Sequence, residues 1–257
     1  MVEGRITLFF ATILICGAIL LQIQKAKKGK EYQLRPMPAL DAIDEAIGRA
    51  VEMGKTVHYT PGVGNLTTSS PPVMFAALDV LSSVAERAAR MDVGFITTTA
   101  AGDVQTVSEE IVRSAYSKVG KADAYKIENV RYLSTDQWAY ASEVAKIVQT
   151  EGVQANILIG HFAASTLVIA ESGYLAGAIQ VAGTTNTFQM PFFIAACDYV
   201  LIGQEVLAAS AYLSEDPVTI GSLVGEDFGK VLCLALIFLG VILNTFNITF
   251  LNDLITR

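Results

Sequence analysis

The sequence predicts an α/β protein: a Rossmann-like three-layer domain with a mainly parallel sheet, flanked by an N-terminal and a C-terminal transmembrane helix. Three observations carry this expectation. Between residues 36 and 228, stretches of helical periodicity alternate with short continuous apolar runs, the pattern of parallel strands buried on both faces. The spacings leave room for right-handed helical crossovers. Two uncharged runs, "ITLFFATILICGAILLQI" (6–23) and "VLCLALIFLGVILNTFNITFL" (231–251), approach the roughly 20 residues that a bilayer-crossing helix needs.

The composition agrees with the spans. The chain of 257 residues is 52% hydrophobic, which is high for an ordinary soluble domain. After the first run comes "QKAKKGK", a basic stop and not a small-residue cleavage site, so an uncleaved anchor is expected. Lys25, Lys27, Lys28, Lys30 and Arg35 flank its inner end, and Lys230 flanks the second run. The outer ends carry only Arg5 and Arg257. The positive-inside rule then predicts a cell-membrane protein with two spans, a cytoplasmic domain and both termini outside. The expected organisation is an anchor at 1–24, a basic juxtamembrane segment at 25–35, the α/β domain at 36–228, and a second transmembrane helix with a short tail at 229–257.

Within the domain the elements follow in order. "PALDAIDEAIGRAVEMG" is a helix with Leu40, Ile43, Ile47, Ala50 and Val51 at helical spacing, acidic residues in its first turns, and Gly54 ending it. "TVHYT" is a strand followed by the loop "PGVGNLTTSS". Next come a helix over 72–92 with Pro72 at its start, the strand "VGFITTT", a helix over 104–120, and a short strand within "YKIENVRYL". A helix over 135–152 follows, with Ser134 or Thr135 as its expected N-cap. The strand "QANILIG", a helix over 164–177, the strand "AIQVAG", the short helix "PFFIAAC", the strand "DYVLIG" and the helix "EVLAASAYL" complete the alternation. "SEDPVTIGSLVGEDFGK" is expected to lead irregularly back to the membrane.

Charge excludes some functions. Residues 36–228 hold ten Lys/Arg against twenty-two Asp/Glu, a net of −12, so nucleic acid is not an expected partner. The three cysteines show no CxxC or Cys/His spacing, so neither a metal site nor a disulfide framework is expected. A calcium loop would need regular oxygen spacing that Glu215, Asp216, Glu226 and Asp227 lack. Asn244 and Asn247, close together on one helix, suggest polar contact between the two spans.

The loops after the first, second, fourth, fifth and sixth strands are nearly all rich in Gly, Thr, Ser or Asn. In open α/β sheets ligands bind outside those carboxyl ends, near a reversal of strand order. The candidate ligand-binding residues are therefore Thr60, Gly62, Gly64, Asn65, Thr97, Thr98, Asp103, His161, Thr184, Thr185 and Asn186. Glycines allow close backbone approach, hydroxyls hydrogen-bond, and helix N-termini offer N–H groups, so a small anion such as a phosphate or nucleotide is the ligand class considered. Against this, the third glycine of a dinucleotide fingerprint is replaced by Thr67, no Walker lysine is present, and no acidic ribose ligand follows "FITTT". The loops also suit ordinary turns and caps.

His58 and His161 are the only histidines and the candidate general bases, with Glu205 and Asp103 as conceivable partners. The plainer reading is a histidine satisfied by structural hydrogen bonds. "GHFAAS" lacks the nucleophile-elbow serine, whose position is held by Phe162, and Ser165 falls in the next helix. Glu171 and Asp198 stand in apolar sequence and would be functional candidates if buried. Cys197 is expected to be core packing. No cofactor and no catalytic residue is indicated.

Arg35-Pro-Met-Pro, the "ALDAIDEAIGRA" helix, the "HYTPGVG" turn and the "GHFAAS" and "QVAGTT" segments resemble a family of prokaryotic membrane-anchored proteins known as a domain of unknown function (number 6754). The resemblance spans most of the central domain. It implies membrane anchoring and the α/β fold, and it transfers no catalytic residue. The sequence points to a homo-oligomeric scaffold component at the cytoplasmic membrane face as the expected role. The excess apolar surfaces in "PPVMFAALDVL", "TLVIAESGYLAG" and "MPFFIAAC" would serve as subunit interfaces. The alternative is a small-anion binding or sensing module, and the least favoured reading is a hydrolase or transferase using His58 or His161.

Overall fold

The computed structural model describes residues 6–29, 32, 36–68, 70–214 and 216–245. Two units emerge, one formed by residues 35–214 and one by residues 1–34 with 215–257.

The larger unit is the α/β domain. Its strands are β1 (Thr56–Gly62), β2 (Gly94–Thr99), β3 (Val130–Tyr132), β4 (Val153–His161), β5 (Ile179–Thr184) and β6 (Tyr199–Ile202). All five pairings are parallel, in the order β3-β2-β1-β4-β5-β6. The chain builds outward from β1 to β3, returns to the other side of β1 for β4, and continues outward to β6. The order reverses between β1 and β4. This is the doubly wound arrangement with its switch point at the centre of the sheet.

Helices cover both faces because the strands are apolar on both. On one face lie α2 (Pro38–Glu52), α3 (Pro71–Arg90), α4 (Gly102–Lys118) and α8 (Glu205–Ser214), over a core that includes Val57, Tyr59, Ile157, Ile159 and Leu201. On the other lie α5 (Gln137–Thr150), α6 (Thr166–Leu175) and α7 (Met190–Ala196), over Leu158, Phe162, Ala182 and Phe193. Successive strand residues point to opposite faces, so Tyr59 and Ile157 face one layer while His58 and Asn156 face the other. Tyr59 is fully buried, and its hydroxyl donates to Ala77 O at 2.5 Å, tying β1 to α3.

Local chemistry sets the helix ends. Asp136, not Ser134 or Thr135, caps α5: its carboxylate accepts from Trp138 N at 3.0 Å and Ala139 N at 2.9 Å. A charged acceptor gains from the helix dipole as well as from the hydrogen bonds. Ser134 instead accepts from Asp136 N at 3.1 Å. At the other end of α3, Lys121 donates to Ala89 O and Arg90 O at 2.9 and 3.2 Å, closing carbonyls that the helix leaves open.

The smaller unit contains α1 (Ile6–Lys27) and α9 (Pro217–Thr245). Residues 217–230, expected to be irregular, are the first half of α9. Asp216 starts the helix by accepting from Thr219 N at 3.0 Å, and Pro217 occupies its first position. Gly221, Gly225 and Gly229 form a packing stripe at intervals of four. A β-carbon on Gly221 would lie 2.6 Å from Ile23 Cα, and one on Gly225 would lie 2.7 Å from Ile19 Cα. Gly229 continues the stripe beside Ile15, so the two helices run antiparallel at close range.

The two predicted membrane spans are corrected here. Among the described residues, no helix is long and apolar enough to cross a membrane. Glu226, Asp227 and Lys230 sit inside α9, where Lys230 pairs with both carboxylates at 3.1 and 3.2 Å. α1 carries Lys25 and Lys27 into its last turn. The two-span cell-membrane placement with outside termini therefore does not stand. Lys30, Arg35, Glu215, Asn247, Arg5 and Arg257, and the side chain of Asn244, lie outside the described residues.

One close contact locks α6 onto the sheet. A β-carbon at Gly173 would stand 2.7 Å from Asn156 Nδ2 and would overlap the Gln180 amide. Gly173→Ala must push α6 away from β4 and β5, and a loss of about 1–3 kcal/mol in urea unfolding is expected. An unchanged unfolding midpoint would mean that α6 does not rest on these amides.

Candidate functional site

The most elaborate polar arrangement lies inside the sheet. His58 on β1, Asn156 on β4 and Gln180 on β5 are register partners, and Thr98 on β2, two residues beyond the His58 partner Ile96, extends the row to a fourth strand; all are fully buried. They face the α5–α7 layer. Buried polar groups must find partners, and these find one another.

The hydrogen bonds fix a direction. Gln180 Nε2 donates to two backbone carbonyls, Ala170 O on α6 and Ala196 O at the end of α7, both at 2.8 Å. Its Oε1 must then accept, and it takes Asn156 Nδ2 at 2.9 Å. Asn156 Oδ1 is left to accept from His58 Nδ1 at 2.7 Å. Burial pushes the His58 pKa down to about 4, so the ring is neutral near pH 7 and its single proton sits on Nδ1. The bare Nε2 accepts from Thr98 Oγ1 at 3.0 Å.

Tyr140 of α5 extends the row toward the carboxyl edge. Its hydroxyl donates to Thr98 O at 3.1 Å and lies 3.1 Å from Thr98 Oγ1. Thr60 Oγ1 contacts the same hydroxyl and accepts from Gly62 N at 2.9 Å. Burial raises the Tyr140 pKa to about 12, so the phenol keeps its proton. With the phenol proton on Thr98 O, Thr60 donates to Tyr140, and two one-way runs result: from Gly62 through Thr60 and Tyr140 to the Thr98 carbonyl, and from the Thr98 hydroxyl through His58, Asn156 and Gln180 to the carbonyls of α6 and α7.

The loops at the carboxyl edge are tied to one another. Gly62 pairs with His161 where β1 and β4 end, and Val63 N donates to His161 O at 2.9 Å. Gly62 has a φ of +83°, and a β-carbon there would strike the His161 carbonyl. Asp103, in the first turn of α4, accepts from Leu66 N at 2.9 Å and so joins the β2 end to the β1 loop. Asn65 folds that loop, accepting from Thr68 N at 2.7 Å and Thr67 N at 3.2 Å. Asn186 donates to Phe162 O at 3.1 Å, joining the β5 loop to the β4 loop. Thr184 Oγ1 accepts from Asn186 N at 3.2 Å.

Of the residues expected to line a crevice, Gly62, Gly64, Asn65, Asp103, His161, Thr185 and Asn186 come together at this edge in the loops after β1, β2, β4 and β5. Thr60, Thr97, Thr98 and Thr184 have buried side chains within the strands. Thr97 Oγ1 is buried and has no hydrogen-bond partner among the described residues. Gly64 lies against His161, where a β-carbon would come 2.9 Å from His161 Cβ. The His161 ring is half-buried, makes no hydrogen bond among the described residues, and has its pKa lowered by burial. The loops 62–68, 100–101, 133–136, 161–165 and 184–189 contain no Lys or Arg.

The conceived histidine pairings do not form. His58 pairs with Asn156 and Thr98, while Glu205 accepts from Ile202 N at 2.8 Å and Asp103 from Leu66 N. Ser165 stands at the N-terminus of α6, buried. Glu171 and Asp198 are exposed, because the apolar sequence around Glu171 faces outward with it; Asp198 accepts from Gln180 N at 2.8 Å. Burial raises the half-buried Cys197 thiol to about 12. No group of three or more His, Cys, Asp or Glu suited to a metal occurs among the described residues.

Tyr140, Asn156 and Gln180 carry the row and were not expected. The available signal was a single amide inside each of the apolar runs "QANILIG" and "AIQVAG", which in a strand buried on both faces demands a partner.

The row makes stability depend on pH. His58 in an unfolded chain has a pKa near 6.5, and in the fold about 4. The unfolded state therefore binds more protons between these values, so stability is full above pH 6.5 and falls toward pH 4. The loss from this group is about 3 kcal/mol over that window. Urea unfolding of the wild type should drop by that much more than unfolding of His58→Gln between pH 7 and pH 4. Parallel pH curves for the two proteins would contradict the buried neutral histidine.

No curated protein and no solved structure matches the chain. A family model described as "Domain of unknown function (DUF6754)" matches residues 1–255, and the chain belongs to this family.

Proposed function

We propose that this DUF6754 protein is a homo-oligomeric structural component, a scaffold and not a catalyst. The observation that supports this reading is the way polar groups at the carboxyl edge are used. Thr60, Asn65, Asp103, Thr184 and Asn186 each bond within the protein and join the strand-end loops into one block. His58 is sealed in the sheet and engaged at both nitrogens. Groups held this way maintain a shape; a general base needs access to a substrate proton.

A second reading, a small-ligand binding module, draws on His161. Its half-buried ring has no hydrogen-bond partner among the described residues, and it stands at the switch point where α/β sheets bind ligands. The absence of Lys and Arg from the surrounding loops weighs against an anion there.

Native mass spectrometry of the full chain separates the two. A discrete multiple of 27.5 kDa with no added mass is the expected result for the scaffold. A monomer carrying a stoichiometric small molecule would overturn it in favour of the binding module.

A further inference from the structure

We propose that the outer face of α6 and α7 is the surface through which two copies of this chain associate about a two-fold axis. This rests on the oligomeric reading above and specifies its contact.

α6 is apolar on both sides. Its inner side, with Ile169, Ala170 and Gly173, packs on the sheet and receives the Gln180 amide at Ala170 O. Its outer side exposes Leu167, Glu171, Tyr174 and Leu175, positions at intervals of three and four that share one stripe. Tyr174 is 71% exposed and Leu175 is 68% exposed. α7 packs beside α6. Phe193 turns inward to meet Phe162 edge-on, with ring centroids 4.9 Å apart. Phe188, just before α7, is 83% exposed, and Phe192 and Ile194 on α7 are exposed too. A surface helix ordinarily turns polar residues outward, and these two do not.

Area and composition point to a second copy as the occupant. With roughly 150–250 Å² available from each aromatic side chain, the six exposed apolar residues offer on the order of 700 Å². A standard stable interface buries about 800 Å² on each partner. The patch has the make-up of an interface centre, rich in aromatics and poor in charge. Its stripe on α6 carries one charged residue, Glu171. A near-neutral apolar face meets its own copy with little like-charge repulsion, and a self-complementary patch closes as a two-fold dimer. A partner recognised through charge would find almost none to pair with.

The rigid backing matters as well. Gln180 ties α6 and α7 to the same amide, so the two helices present one surface. Association then orders few groups that were free beforehand.

Sedimentation velocity of the full chain tests this, comparing wild type with Tyr174→Asp/Leu175→Asp and with Phe75→Asp. Phe75 is an exposed apolar residue on α3, across the sheet. The expected result is a self-associating wild type, an α6 variant weakened on the order of 100-fold, and an unaffected Phe75→Asp. Circular dichroism and urea unfolding should match across all three, since the substituted side chains are exposed. If the wild type assembles and the α6 variant assembles equally well, the surface is wrong while the oligomeric reading stands. If the wild type is a monomer at every concentration, the oligomeric reading fails with it. A photo-crosslinking residue at position 174 should bridge two copies of the chain; crosslinks to other polypeptides alone would overturn the choice of partner.

Discussion

The α/β domain depends on one constraint: four polar side chains stand in the middle of an apolar sheet and must satisfy one another. An unpaired amide or imidazole at that depth costs about 1–3 kcal/mol or more. The cost is avoided only when β2, β1, β4 and β5 keep their register: His58, Asn156 and Gln180 then fall abreast, and Thr98, two positions beyond the His58 partner Ile96, reaches Nε2 of the ring. A slip by one residue would turn each of them toward the wrong layer. Hydrophobic patterning makes the strands; the polar row decides how they align.

The same row links the sheet to its surroundings. At one end Tyr140 and Thr60 bring it to Gly62, where β1 and β4 close against each other and the strand-end loops begin. At the other end Gln180 holds a carbonyl from α6 and one from the end of α7. Gly173 is glycine because the amides of Asn156 and Gln180 occupy the space a side chain would need. The outward apolar residues of α6 and α7 thus stand on a backing fixed from inside. A surface of that kind suits assembly, where geometry must be held and repeated, and this is the physical basis for reading the protein as a structural component.

The fold was legible in the sequence because its signals are local. Apolar runs such as "ILI" and "VLI" between helical stretches specify a parallel sheet, and Pro, Gly and capping residues mark most boundaries. Three things were not legible. The two uncharged runs resembled spans, because run length does not reveal that Gly221, Gly225 and Gly229 place α9 against α1, or that Glu226, Asp227 and Lys230 belong to the same helix. The strand-end loops signalled a crevice, and the tally of Gly, Thr and Asn could not tell which groups already had partners; Asp103 and Asn186 turn out to bind backbone of neighbouring loops. The polar row depends on register between strands far apart in the chain: His58 and Asn156 are separated by 98 positions, and no local pattern announces their contact.

The tautomer of His58 is the most direct test of this account, because the donor directions from Thr98 to Gln180 are tied to it. Nitrogen-15 chemical shifts of the imidazole, recorded on the folded protein from neutral pH downward, report it. The account predicts a proton on Nδ1, a bare Nε2, and no change of state until the pH approaches 4. A proton on Nε2, or titration near 6.5 with the fold intact, would contradict the run of donors from Thr98 to Gln180 and the alignment of the sheet that rests on it.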